Sequence, residues 1–107
     1  MIPRHTIDEI ADKIGRRFRP EKIILFGSYA RGDARDNSDL DLLVVSAAPA
    51  PRGARSAPII RMLAQEYDLP IDVIVRSPAG LQAWRDVPGS FAQRVTEEGV
   101  TLYERPG

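Results

Sequence analysis

Three short β-favouring runs set between helical segments constrain this chain more than any other feature. They are KIILF at 22–26, DLDLLVV at 39–45 and IDVIV at 71–75. KIILF is apolar after its lysine and stops at Gly27, the mark of a buried strand. DLDLLVV alternates at its start and then turns continuously apolar, which suits a strand open at its mouth and covered on both faces further in. Ile7, Ile10, Ala11, Ile14 and Phe18 recur at helical spacing until Pro20. With Thr6 and Glu9 in capping-box positions, they predict an amphipathic helix over 7–18. The Pro-, Ala- and Gly-rich stretch 46–58 predicts a flexible loop leading into a helix at 59–67. Short helices are expected at 81–85 and 90–98, split by Pro88 and Gly89, with a last strand at 100–103. Helices alternating with buried strands predict an α/β (α+β) sandwich on a small mixed sheet of three or four strands. At 107 residues, one domain over 1–107 is expected, with no second lobe.

Composition excludes several functions. Fifteen basic residues cancel fifteen acidic ones, so the positive field that holds nucleic acid is missing and DNA is not an expected partner. No apolar run reaches membrane length. Arg4, Asp8, Glu9 and Asp12 stand where an export signal needs apolar residues, so a cytoplasmic location is expected. The absence of cysteine and a single histidine, His5, rule out disulfides, thiolate chemistry and zinc cages. Any metal must be held by oxygen. A core this small leaves room for stabilisation in a homo- or hetero-oligomer.

The chemistry concentrates in 23–45, IILFGSYARGDARDNSDLDLLVV. Residues i and i+2 of a strand share a face, so Asp39 and Asp41 project side by side while Leu40 points away. Adjacent carboxylates repel without a cation between them. Magnesium suits such a pair, because it takes one or two carboxylates and fills its shell with phosphate and water. Asp72 supplies a third carboxylate inside an otherwise apolar run, and it converges with the others if its strand neighbours theirs. Gly27 permits close backbone approach to a ligand, and Ser28 falls at the start of a short helix, where its hydroxyl and free N–H groups can grip phosphate. A phosphate grip beside metal-holding carboxylates describes a phosphoryl-transfer site. The alternatives fit less well: GSYARGD lacks the Gly-Lys-Ser/Thr ending of a P-loop, and Asn37, Asp39 and Asp41 lack the glycine and closing glutamate of a calcium loop. Trp84, with Leu81, is expected to serve packing and His5 to lie at the surface, while Tyr29 and Tyr103 are left open.

At Gly27, Ser28, Asp39, Asp41 and Asp72 the sequence resembles the minimal nucleotidyltransferases of the DNA polymerase β-like superfamily, and the tail 86–105 is similar to the ending of such proteins. The resemblance implies a DNA polymerase β-like nucleotidyltransferase fold. It further implies transfer of a nucleoside monophosphate from ATP or another NTP to a hydroxyl. Asp39, Asp41 and Asp72 would be catalytic and hold two magnesium ions, with Gly27, Ser28 and Arg31 binding the nucleotide. Arg31 and Arg35 are the candidates for neutralising pyrophosphate, although 13 of the 15 basic residues are arginine in any case. Relatives of this size pair with helical HEPN-type proteins in toxin–antitoxin systems, so the resemblance implies an antitoxin that adenylylates its partner. Two other readings are an antitoxin that silences its partner by occlusion without chemistry, and a homodimeric aminoglycoside nucleotidyltransferase.

Overall fold

A computed structural model describes residues 1–47 and 55–106. In chain order the elements are α1 (Arg4–Phe18), β1 (Lys22–Phe26), α2 (Ser28–Arg31), β2 (Leu40–Val45), α3 (Ala57–Glu66), β3 (Ile71–Arg76), α4 (Pro78–Trp84), α5 (Phe91–Glu98) and β4 (Val100–Glu104). The strands form a four-stranded mixed sheet in the order β3-β2-β1-β4. β1 runs antiparallel to both β2 and β4, whereas β2 and β3 are parallel, a pairing that needs a crossover, here carrying α3. The expected mixed α/β architecture is the one found.

Strand periodicity divides the core. Ile23, Leu40, Leu42 and Val44 point to the face covered by Ile10 and Ile14 of α1 and by Ile59 and Leu63 of α3. Leu43 and Val45 point to the other face, with Ile24, Phe26 and Ile74, under Val95 of α5 and Leu81 of α4. Every residue of β2 is buried except Asp41. Burying one such aliphatic side chain contributes about 1.5–3 kcal/mol, so the sandwich holds β2 firmly and leaves its one charge at the mouth.

Several boundaries differ from expectation, each for a physical reason. Thr6 does not cap α1. The helix begins one turn earlier behind Pro3, whose carbonyl accepts from the Thr6 and Ile7 amides at 3.0 and 3.2 Å. Tertiary docking sets that start: Ile2 is buried and its N–H donates to the Tyr29 hydroxyl at 3.0 Å. Glu9, the expected capping partner, instead accepts from the Tyr67 hydroxyl just past α3, a bond that holds its carboxyl below the ordinary range. Lys13 joins the same cluster through Glu66 at 3.3 Å and Glu9 at 3.5 Å. α3 and α4 each begin earlier than expected, with a proline in the first turn, where its missing N–H costs nothing. Asp39 precedes β2 instead of opening it. Of the expected flexible loop, residues 48–54 lie outside the described residues. Among the described residues no helix is long and apolar enough to cross a membrane.

α1 lies close against β4 at Gly15, where an added Cβ would stand 2.5 Å from the Tyr103 ring. Gly15→Ala is expected to destabilise the fold by about 1–3 kcal/mol through overpacking. Tyr103→Leu in the same chain should recover part of that loss. Urea denaturation of the two single variants and the double variant checks it, since additive losses would mean the two positions do not meet.

Candidate active site

The sheet register builds the site. Phe26, the last residue of β1, lies opposite Asp41 in the antiparallel ladder, and Asp72 is the partner of Asp41 in the parallel one. Asp41 and Asp72 therefore stand side by side on the face that α5 covers further along. Asp39, two residues before Asp41, is exposed at the strand's mouth. Asp72 is exposed as well, at the start of an edge strand. Its charge is not buried among apolar groups, as the sequence suggested, because this end of the sheet lies beyond the helical cover.

The turn after β1 is fitted to Asp41. Gly27 adopts φ +74° and ψ −154°, a backbone conformation essentially confined to glycine. A Cβ there would run into the Asp41 Oδ2 and lie 3.2 Å from its Cγ. The backbone conformation requires glycine at this position, and any side chain there would also have to displace the Asp41 carboxylate. Ser28 opens α2, a single turn closed by Arg31 N–H to the Gly27 carbonyl at 3.1 Å and Gly32 N–H to the Ser28 carbonyl at 3.0 Å. The first amides of α2 have no intrahelical acceptor, and they start beside the Asp41 carboxylate.

Partial burial pushes the Asp41 carboxyl above the ordinary carboxylate value; repulsion from Asp72 and then Asp39 adds to it, and the Arg31 guanidinium opposes. Three carboxylates that feel one another in this way are suited to a cation. Among the described residues no three acidic or imidazole groups already converge into a cage. What the chain offers is the in-register pair Asp41 and Asp72 with Asp39 beside it. That donor set fits magnesium, which needs few protein carboxylates and takes the rest of its shell from phosphate and water.

Arg31 is held on this side by Asp33 and Glu98, each at 3.3 Å, and both hydrogen bonds raise its pKa further. It lines a cavity of about 180 Å³ with Gly27, the Phe26 and Phe91 rings, Arg94 and Glu98. The two rings meet edge to face at 5.1 Å. The other candidates separate clearly. Tyr29 is structural, accepting from Ile2 N–H and packing against the core, and Tyr103 packs over Gly15. The Arg35 backbone closes a turn with Ser38, whose hydroxyl accepts from its N–H at 2.8 Å. His5 is exposed, as expected. Trp84 is 59% exposed and is not the packing residue expected of it, because α4 packs Leu81, itself only partly buried, against the sheet instead.

Sequence reasoning missed the contribution of α5. Glu98 lies 67 residues from the arginine it holds. The spacing of Arg94 and Glu98 suggests an i,i+4 pair with each other, so no local signal pointed to the turn after β1.

The sequence profile of the nucleotidyltransferase domain matches residues 7–100. This chain belongs to the nucleotidyltransferase domain family. A Methanocaldococcus jannaschii protein provisionally named a protein adenylyltransferase is 38% identical over 105 residues, covering 96% of this chain and all of the relative. A second protein of that organism, named in the same way, is 35% identical over 82 residues, 77% of this chain and 78% of its own length. Among solved structures, a toxin–antitoxin crystallised with AMP-PNP superposes with a TM-score of 0.66 at 26% identity, over 91% of this chain and 73% of that one. The nucleotidyltransferase is thus an enzyme by family, and its fold is that of toxin–antitoxin nucleotidyltransferases.

The double constraint at Gly27 gives a stability test. Gly27→Ala should cost about 1–3 kcal/mol for the backbone conformation alone, with a further loss from contact with Asp41. Asp41→Ala in the same chain should return only the second part. Denaturant midpoints of the single and double variants measure the split, and full recovery in the double variant would mean the backbone at Gly27 is unstrained.

Proposed function

We propose that this nucleotidyltransferase transfers AMP from ATP to a hydroxyl on a helical HEPN-type protein partner, with magnesium, and acts as the antitoxin of a toxin–antitoxin pair. The observation that carries the catalytic part is the in-register Asp41–Asp72 pair, with Asp39 at the mouth and the Gly27–Ser28 turn against it. The names of the M. jannaschii relatives and the toxin–antitoxin neighbour support the acceptor and the biological setting.

In this reading Asp39 and Asp41 would hold magnesium, and Asp72 would complete the set on the acceptor side. The metal supplies charge neutralisation between carboxylates and phosphates and lowers the pKa of the attacking hydroxyl. The acceptor oxygen bonds to the α-phosphorus, and the bond from that phosphorus to the α,β-bridging oxygen breaks. Its electron pair leaves on pyrophosphate, and the hydroxyl proton passes by way of the exposed Asp72 carboxylate to water. Gly27 lets the phosphates approach the backbone, the Ser28 hydroxyl donates to a phosphate oxygen, and Arg31 offsets the charge that builds on the leaving group. The intact carboxylates favour chemistry over silencing by occlusion alone.

Asp41→Asn should abolish magnesium-dependent nucleotide binding and transfer. Because burial and two like charges disfavour the Asp41 carboxylate, the same change should leave thermal stability equal or higher. Calorimetric titration of ATP with and without magnesium, beside a melting curve, tests both halves; unchanged metal-dependent binding would remove Asp41 from the site. Ser28→Ala should weaken ATP binding by about 1–2 kcal/mol, one hydrogen bond to a charged group.

Incubation of the chain with its co-expressed helical partner, ATP and magnesium should add AMP to the partner, read by mass spectrometry. A bound, inhibited and unmodified partner would favour occlusion. Efficient transfer to an aminoglycoside by this chain alone would overturn the proposed acceptor.

A further inference from the structure

Arg94 is exposed on α5 beside the turn after β1. It projects from α5 into the cavity shared by Gly27 and Arg31. Among the described residues its guanidinium has no ion-pair or hydrogen-bond partner. Glu98, one helical turn on and the natural partner for it, is engaged by Arg31 across the cavity at 3.3 Å. The result is an asymmetric pair of arginines: Arg31, paired with both Asp33 and Glu98, and Arg94, exposed on its helix and unneutralised. The Phe26 and Phe91 rings and Val95 wall the same cavity, and apolar walls strengthen the attraction of a cation for an anion beside it. The helix itself is anchored, since the Ser90 hydroxyl caps α5 at the Gln93 N–H at 3.1 Å and donates to the Trp84 carbonyl at 2.8 Å.

We propose that Arg94 is a polyphosphate-binding residue that takes the β,γ end of the triphosphate, and the pyrophosphate it becomes, in the cavity between α5 and the turn after β1. This rests on the proposed nucleotidyl transfer, because it assumes that the triphosphate enters at Gly27 and Ser28. The charge arithmetic favours this assignment. A magnesium-bound triphosphate keeps negative charge at its far end, whereas Arg31 already shares its charge with two carboxylates. A guanidinium also donates two parallel N–H bonds to phosphate oxygens, a geometry that lysine cannot reproduce.

The test measures binding of inorganic tripolyphosphate, pyrophosphate and AMP, each with magnesium, to the full chain by calorimetry. Arg94→Gln should weaken tripolyphosphate and pyrophosphate about tenfold, as for the loss of one charged hydrogen-bonding partner, while AMP binding stays unchanged. Arg94→Lys should restore only part of the affinity. Arg61→Gln, which removes the same charge from α3 on the opposite side of the sheet, should have no effect. In turnover assays the Arg94→Gln variant should raise KM for ATP and relieve product inhibition by pyrophosphate. Wild-type binding of tripolyphosphate with an unaltered Arg94→Gln variant would overturn the role of Arg94 and leave the proposed transfer standing. Failure of the wild-type chain to bind either polyphosphate or ATP would overturn both.

Discussion

The contact between the bare backbone of Gly27 and the Asp41 carboxylate is the constraint on which the rest of the site depends. The carboxylate occupies the space a side chain at Gly27 would need, so the Gly27–Ser28 turn and the start of β2 are fitted to each other directly. That fit is fixed by the antiparallel register, which sets Phe26 opposite Asp41. A slip of one residue would turn the carboxylate to the α1 face, into a layer filled by isoleucine and leucine. Aliphatic packing along β2 therefore holds the chemistry in place without touching a substrate.

The same strand shows why the fold tolerates a cluster of like charges. Burial and repulsion make the Asp41 carboxylate unfavourable, but the cost stays limited because Asp39 and Asp72 keep contact with water at the open end of the sheet. Repulsion among the three is the interaction that a bound cation converts into attraction.

Much of this was legible in the sequence, because it depends on local order. KIILF and DLDLLVV identified their strands by length and pattern, and Gly-Ser with Asp-x-Asp placed the turn that lies against Asp41. What the sequence could not show depended on contacts between distant segments. The capping box at Thr6 and Glu9 was a sound local pattern, but docking of Ile2 on Tyr29 and capture of Glu9 by Tyr67 redirected it. Asp72 looked costly inside IDVIV because a linear pattern does not reveal that its strand lies at the edge of the sheet. Trp84 looked like core for the same reason: hydrophobicity is visible in a sequence, and which side of a short helix meets the sheet is not.

The edge position of β3 also bears on the acceptor. Asp41 is flanked on one side by β1 and its turn, where the nucleotide's phosphates are proposed to lie, and on the other by Asp72 on a strand with no further neighbour in the sheet. In the proposed reaction the order of the strands would separate the two sides, with α2 and α5 on the phosphate side and the exposed Asp72 on the acceptor side. In the proposed reaction an acceptor would reach Asp72 at the open edge of the sheet, where its own shape would supply much of the recognition. A folded protein offering a hydroxyl on its surface can meet that requirement by docking along the edge. A small molecule, with few contacts to gain there, meets it poorly.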